Sequence, residues 1–179
     1  MIREVIITVL VAMILFLAIR AVAQNSIVDG SSMEPNMHNG QRIVVSKAAY
    51  WFSDPRRGDI VVFKRPHQKS SLADRLMLTS SGIIHRIVGL PGEEVEIKSG
   101  ELYINGQKVN ETYIQGHSIS APLQRIPEDS YFIVGDNRFA AASDIVPRKD
   151  IIGKVWLCYW PVSQWGLAPN HSLKLGVGE

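Results

Sequence analysis

The longest apolar run of the chain lies near its N-terminus, from Val5 to Ile19, and carries no charge. As an α-helix it would extend about 22 Å, short of the roughly 30 Å hydrocarbon core of a bilayer. The long stem of Arg20 can reach the interface, and counting it together with Ala21 to Ala23 brings the segment close to a full span. The pattern predicts a transmembrane anchor over residues 5–23, preceded by a short N-terminal stretch, 1–4.

A cleavable secretory signal would show a similar pattern, because Arg3, the apolar run and the small residues 21–23 imitate its three parts. Arg20 argues against cleavage, since a charge directly before the small-residue box is unusual in such signals. We therefore favour a retained anchor. Charge leaves the orientation open, because Arg3 is offset by Glu4 and Arg20 lies at the far end of the segment.

Beyond Gln24 the apolar positions form short β-branched or aromatic runs separated by Gly and Pro, a pattern typical of strands. The predicted strands are residues 42–45, 59–63, 83–89, 94–98, 131–135 and 151–159. Asn105-Gly106 between two apolar stretches predicts a hairpin with a two-residue turn. Residues 72–81 fit either a short helix or an ordered loop. We expect residues 24–179 to form one all-β domain of coiled antiparallel sheets and barrels.

Composition narrows the function. A chain of 179 residues with 46% hydrophobic residues fits a small domain plus an anchor. The net charge of +2, without a dense Lys/Arg stripe, argues against a nucleic-acid partner. Cys158 is the single cysteine and lies in an apolar run, so we interpret it as a buried, inert thiol. The histidines have no metal-ligand spacing, and we expect neither a metal nor a cofactor.

A serine follows the apolar segment closely, in the run GSSMEP at residues 30–35. A serine hydroxyl becomes a nucleophile when a base removes its proton, and acyl chemistry also needs backbone N–H groups aimed at the developing oxyanion. Gly30 permits a backbone geometry that residues with a Cβ resist, and Pro35 stiffens the exit from the turn. The run therefore predicts a nucleophile held at a membrane surface.

A histidine is a candidate for the base. In a strand, Ile83, His85 and Ile87 share one face, which turns His85 toward an apolar side of the sheet. Such a histidine is ordinarily a hydrogen-bonded core residue. An imidazole with an ordinary pKa near 6.5 also needs little tuning to act as a base at neutral pH.

Three stretches together resemble type I signal peptidase, the membrane-bound serine protease that removes signal peptides from exported proteins. They are GSSMEP at residues 30–35, IHRIVGLPG at 84–92 and GDNR at 135–138, and they occur in the family's order. The resemblance extends over roughly Val5 to Trp160. It implies that Ser32 is the nucleophile and that its backbone N–H forms part of the oxyanion hole. Some members have a serine at the position of Gly30, where we expect a backbone donor instead.

The chain departs from the family pattern at two places. The common bacterial members have a lysine at the position of His85, whereas the eukaryotic and archaeal signal peptidases use histidine. In the third motif the serine that supports the lysine is replaced by Ala141, unless a one-residue shift aligns Asp144 with the family's aspartate. A histidine base needs a carboxylate that orients it. Asp144 is our candidate for that role, and Asp136 is either a second candidate or a structural residue.

The resemblance implies cleavage of exported preproteins after a small residue, within an Ala-x-Ala pattern, by a domain outside the cytoplasm, with residues 1–4 inside. The signal peptide would bind as an added strand. Candidate walls of the shallow substrate pockets, with plain core packing as the alternative, are Gly30, Val28, Met33, Ile83 and Ile84. The lipid bilayer is an expected partner, and the secretion machinery is a further candidate. Aromatic residues at 50–52 and 156–165 fit either an apolar skirt in the bilayer interface or the core.

Two other functions remain as alternatives. The altered base and third motif would also suit an inactive relative that serves as a scaffold or assembly factor. A self-cleaving transcription regulator of the related Ser-Lys fold would need a DNA-binding unit in the place that the apolar segment occupies.

Overall fold

The structure is a computed structural model that describes residues 1–64, 82–171 and 173. The segment 72–81, predicted as a short helix or an ordered loop, lies outside the described residues, as does His67. Helix α1 spans Ile2–Val22. The strands are β1 (Ala23–Ile27), β2 (Arg42–Ser46), β3 (Ile60–Phe63), β4 (Ile83–Gly89), β5 (Glu94–Lys98), β6 (Glu101–Ile104), β7 (Gln107–Lys108), β8 (Ala121–Arg125), β9 (Ser130–Val134), β10 (Ser143–Pro147), β11 (Ile151–Trp160) and β12 (Gly166–Leu167). Short 3-10 helices cover Ala48–Tyr50, Arg148–Asp150 and Val162–Gln164.

Helix α1 contains 21 residues, begins three residues before the predicted segment, and is long and apolar enough to cross a membrane. At 1.5 Å per residue its length is about 31 Å, which matches the thickness of the hydrocarbon core. None of its residues is buried against the rest of the chain. Strand β1 starts at Ala23, directly after the helix, so the sheet begins where the span ends.

The strands form two antiparallel sheets. The larger has the order β1-β2-β11-β3-β4-β9-β10, with β12 paired to β11, and the smaller has the order β7-β6-β5-β8. The all-β prediction with a preceding apolar helix is confirmed. The barrel is not, because in the described part of the chain neither strand order closes on itself.

The predicted strand positions agree closely with the sheets. Strands β4 and β5 have the predicted bounds, β2, β3 and β11 differ from prediction by one residue at one end, and β9 is shifted by one residue at both ends. The hairpin turn at Asn105-Gly106 is also confirmed, with φ of 50° and 78° at the two turn residues.

Strand β4 is buried on both faces and separates two apolar clusters. One cluster contains Ile84 together with Met33 of the serine turn, and the other contains Ile87 and Ile133. Successive side chains of a strand point to opposite faces, so neighbours on β4 enter different environments. This alternation determines which groups His85 can meet.

Candidate active site

Ser32 lies on a turn that follows β1, and the turn is held through its carbonyl groups. Asn137 donates its backbone N–H to the Ser32 carbonyl at 2.9 Å and its side-chain Nδ2 to the Ser31 carbonyl at 3.0 Å. Gly30 has a φ of 88°, a left-handed conformation that favours glycine. These contacts fix the serine turn to the GDNR motif, which is more than 100 residues away in sequence.

Gly135 is the point where the serine turn meets the larger sheet. A Cβ on Gly135 would lie 2.3 Å from the Ser32 carbonyl oxygen and 2.6 Å from the Ala141 Cβ, closer than atoms tolerate. Any side chain at this position would therefore displace the serine turn. The requirement explains why the GDNR motif begins with glycine.

His85 lies on β4, the strand that pairs with β9 just before Gly135. Its neighbour Arg86 pairs with Val134, the residue directly before Gly135. The imidazole is 3% exposed, and its ring centroid is 5.8 Å from that of Phe63. The predicted inward orientation of His85 is therefore observed, and the residue that follows His85 pairs with the residue that precedes Gly135.

Asp136 lies on the opposite side of β4 from His85. Its carboxylate accepts hydrogen bonds from Arg86 Nε at 2.8 Å and Nη2 at 2.6 Å, and from Asn36 Nδ2 at 2.8 Å. Arg86 and Asp136 are both fully buried. Because Arg86 and His85 are consecutive in a strand, their side chains point to opposite faces. The geometry therefore favours the structural interpretation of Asp136.

Asp144 shares the face that carries His85. Asp144 on β10 pairs with Ile133 on β9, and Ile133 pairs with Ile87 on β4. Directly paired residues point to the same side of a sheet, and His85 and Ile87 share one side of β4. Asp144 is half-buried at the margin of this apolar face. The register therefore supports Asp144 rather than Asp136 as the partner of the imidazole.

Sequence reasoning missed a second polar cluster on the His85 face. Lys154 pairs with Val61, which in turn pairs with His85. The Lys154 ammonium is 2.6 Å from Asp59 Oδ1, and the Tyr50 hydroxyl donates to Asp59 Oδ2 at 2.9 Å. Burial, reinforced by the Asp59 carboxylate, raises the pKa of Tyr50 far above its ordinary value. The sequence signal that could have indicated this cluster is Asp59, a charged residue directly before the apolar strand β3.

The candidate pocket residues divide between the two faces of β4. Val28, Met33 and Ile84 are buried in one cluster, whereas Ile83 packs on the cluster of the opposite face. Gly30 does not fit the expected role of an oxyanion donor, because its N–H donates to the Asn39 side-chain oxygen at 3.0 Å. The Gly30 N–H, which we expected to face the substrate, is therefore bonded to Asn39 instead.

A C-terminal strap, residues 168–171, supports the Arg86 side of the site. The Pro169 carbonyl accepts from Arg86 Nη1 at 2.9 Å, and Asn170 Oδ1 accepts from the Ile60 N–H at 2.8 Å. His171 stacks on Tyr113, whose ring also lies 4.3 Å from the Arg86 guanidinium carbon. Burial and the nearby Arg86 cation lower the pKa of His171, partly offset by Asp136.

The remaining candidates have simple environments. Cys158 is buried, as expected. His38, His117 and His171 are exposed, and within residues 1–64, 82–171 and 173 no cluster of His, Cys, Asp and Glu could hold a metal ion. Trp51, Trp156, Trp160 and Trp165 are more than half exposed, which excludes core packing as their role.

The family model of signal peptidase, peptidase S26, matches residues 1–160. The chain belongs to this family. It is 36% identical over 172 residues to a signal peptidase I of Leptolyngbya laminosa, covering 92% of the chain and 83% of that protein. It is 35% identical over 179 residues to a probable signal peptidase I-2 of Synechocystis sp., covering 95% and 78%.

The solved structures include a signal peptidase I from Enterococcus faecalis V583. The two sequences are 27% identical, the match covers 57% of this chain and 97% of that one, and the TM-score is 0.40. Membership of the S26 family identifies the chain as a hydrolase of the serine endopeptidase class. With the apolar helix at the N-terminus, it fits a membrane-anchored, single-pass protein.

Proposed function

We propose that this S26 peptidase cleaves the signal peptides of exported preproteins with Ser32 as nucleophile and His85 as general base. The observation that carries the proposal is the junction at Gly135. The Ser32 carbonyl packs against this glycine, and His85 lies one residue from the strand pair that leads into it. A nucleophile and its base must lie within hydrogen-bonding reach at the moment of reaction.

In the proposed reaction His85 removes the proton of the Ser32 hydroxyl as its oxygen attacks the scissile carbonyl carbon. The carbonyl oxygen becomes an oxyanion, which the Ser32 N–H stabilises. His85 then gives the proton to the departing amine, and the acyl-enzyme remains on Ser32. A water molecule activated by His85 hydrolyses this ester and regenerates the serine.

Asp144 is the proposed carboxylate that orients the imidazole and stabilises its protonated form. Its support is the shared sheet face, together with the full engagement of Asp136 by Arg86 and Asn36. A carboxylate in this role also holds the histidine in the tautomer whose free nitrogen faces the serine.

The proposed substrate site lies between the serine turn and β4. Val28, Met33 and Ile84 are buried together there, and apolar walls of this kind suit the small side chains of an Ala-x-Ala pattern. Helix α1 is proposed to remain as an anchor over residues 5–23, with residues 1–4 inside and the catalytic domain, 24–179, outside the cytoplasm. The anchor would hold the serine turn near the membrane from which the substrate emerges.

The test is cleavage of a preprotein with an Ala-x-Ala site by the full-length protein in detergent. We expect Ser32→Ala and His85→Gln to lower kcat/KM by more than about a thousandfold, since each removes a member of one reacting unit. The wild-type rate should fall below about pH 6, where the imidazole takes up a proton.

Two matched controls accompany these variants. Ser31→Ala removes the neighbouring hydroxyl, and His117→Gln removes an exposed imidazole; both should retain activity within a few-fold of wild type. Circular dichroism verifies that each variant is folded. Full activity in folded His85→Gln would eliminate this residue as the base, and a wild type inert on several preproteins would favour the scaffold alternative.

A further inference from the structure

A cleft of about 360 Å³ lies where helix α1 meets the sheet domain. Ala21 of the last helical turn forms one side, and the 3-10 helices around residues 48–50 and 148–150 form the others. We call it the basic cleft, and the residues that matter to its chemistry are Ala21, Lys47, Tyr50, Trp51, Arg148 and Lys149. It is separate from Ser32 and from the GDNR motif.

The charged residues that line the basic cleft are all positive. Lys47, Arg148 and Lys149 line it, and no carboxylate does. Within the described part of the chain neither Lys47 nor Lys149 forms an ion pair, and the neighbouring Asp54, which is largely exposed, is bonded only to Arg148. Two lysines that line one cleft and form no ion pair with a described residue favour an anionic ligand.

Arg148 holds the cleft in shape and retains a donor. Its Nη2 donates to the Tyr50 and Ser53 carbonyl oxygens at 3.2 and 3.1 Å and contacts Asp54 at 3.1 Å, which fixes the 3-10 helix at 48–50. Its Nε is buried and has no hydrogen-bond acceptor among the residues that the structure describes. Most buried polar groups in native proteins are bonded, and the described residues leave this Nε of the guanidinium without an acceptor.

The position of the cleft identifies the source of the anion. Helix α1 is about as long as the hydrocarbon core is thick, so its last turn lies at the membrane boundary. The Lys47 N–H donates to the Val22 carbonyl at 2.8 Å, which keeps the cleft at this level. Beside it, Trp51 is 54% and Phe52 is 96% exposed, and aromatic side chains are favoured at this depth.

We propose that the basic cleft binds the phosphate group of an anionic membrane phospholipid in the leaflet where α1 ends. Lys47 and Lys149 contact the phosphate oxygens, Arg148 maintains the cleft wall, and Trp51 packs against the adjoining acyl and glycerol region. Binding there would fix the depth of the catalytic domain relative to the bilayer. The site is distinct from the proposed catalytic machinery and needs only that α1 crosses the membrane.

The test uses the full-length protein in micelles of a neutral detergent, titrated with phosphatidylglycerol or phosphatidylcholine. Bound lipid is counted by native mass spectrometry. We expect wild type to prefer phosphatidylglycerol. Lys47→Gln combined with Lys149→Gln should weaken its binding about twentyfold or more, because a basic residue near an anionic lipid surface contributes about fivefold in affinity. Binding of phosphatidylcholine should be unchanged.

The matched control removes two positive charges far from the cleft, with Lys98→Gln and Arg125→Gln on the smaller sheet. It should retain the preference of wild type. If the control variant bound phosphatidylglycerol as weakly as the cleft variant, the loss would reflect net charge alone and the proposal would be wrong. An unchanged affinity in the cleft variant would also overturn the proposal. Displacement of the lipid by inorganic phosphate at a similar concentration would make it a general anion site and overturn the lipid assignment.

Preprotein cleavage is measured separately, and Ser32→Ala should bind phosphatidylglycerol like wild type. A failure of the lipid proposal is therefore distinguishable from a failure of the catalytic one.

Discussion

At the scale of single residues, Ala141 occupies a decisive position beside the serine turn. Its Cβ packs against Gly135 at the point where the Ser32 carbonyl also arrives. Members of the family with a lysine base carry a serine in this part of the third motif, and its hydroxyl supports the lysine. A histidine base makes that hydroxyl dispensable, so Ala141 and His85 are understandable as a matched pair.

This pairing predicts the outcome of a rebuilt Ser-Lys arrangement. His85→Lys alone should have less than about 1% of wild-type activity, because without a supporting hydroxyl the lysine amine is not held toward the Ser32 hydroxyl. Adding Ala141→Ser should raise the rate at least about tenfold above His85→Lys. Preprotein cleavage in detergent from pH 6 to 10 measures both, and the optimum of the double variant should lie at higher pH than that of wild type.

Ala141→Ser in the His85 background is the matched control, and it should change the rate less than about threefold. A double variant that is no better than His85→Lys would show that Ala141 does not correspond to the supporting serine.

The sequence predicted the identities at the junction but not the bonds between them. Ser32, His85 and the two aspartates were predicted from the resemblance of the motifs, whereas the proposal of Asp144 over Asp136 as the orienting carboxylate depends on the register of β4, β9 and β10. Asn39 was missed because its bond to the Gly30 N–H depends on how residues 38–41 fold back beside β1. Such side-chain-to-backbone bonds leave no periodic trace in a sequence.

At the scale of elements, the side chains of β4 alternate between two faces that have different roles. One face presents His85 to the apolar cluster around Ile87 and Val61, and the other presents Arg86 to Asp136. The ion pair on one face therefore fixes the strand that positions the imidazole on the other.

Asp136→Asn should reveal the dependence of the fold on this pair. It leaves the Arg86 charge buried without a counter-ion, which typically costs about 3–5 kcal/mol of unfolding free energy. Chemical denaturation in detergent, followed by tryptophan fluorescence, measures the loss. Glu96→Gln removes the half-buried partner of the exposed Lys98 side chain and should cost less than about 1 kcal/mol. A similarly small loss of unfolding free energy in both variants would contradict the stabilisation of β4 by the Arg86–Asp136 ion pair.

Strands with regular apolar patterns were predictable, and those without were not. β4 and β5 are rich in Ile and Val and were located to the residue. β1 (AQNSI), β8 (APLQR) and β10 (SDIVP) contain polar residues or Pro and gave no strand signal. They form strands because they pair with β2, β5 and β9, respectively. Pairing with a neighbouring strand outweighs the weak strand preference of their own sequences.

At the scale of the whole molecule, the C-terminal strap, residues 168–171, contacts the middle of the larger sheet at Ile60 of β3 and Arg86 of β4. His171 stacks on Tyr113 near Arg86 and Asp136, and burial with the Arg86 cation lowers its pKa. A folded state that resists protonation binds fewer protons than the unfolded chain. Its stability is therefore present above the ordinary histidine pKa near 6.5 and is lost as the pH falls through and below that value.

Between pH 7 and 5 the unfolding midpoint of wild type should therefore decrease, and His171→Phe should decrease less. The phenyl ring preserves the stack on Tyr113 and removes the titrating group. Thermal unfolding in detergent at half-unit pH steps measures the difference, with His117→Gln as the control that should follow wild type. Parallel curves for wild type and His171→Phe would exclude His171 as a source of acid sensitivity.

The strap also changes where this protein can safely be shortened. The match to the family model stops at residue 160, yet Arg86 and Ile60 obtain acceptors from Pro169 and Asn170. A clone trimmed at residue 160 would keep every motif and still lose the contacts of Pro169 with Arg86 on β4 and of Asn170 with Ile60 on β3. The boundary that the family model draws is thus narrower than the unit that these contacts hold together.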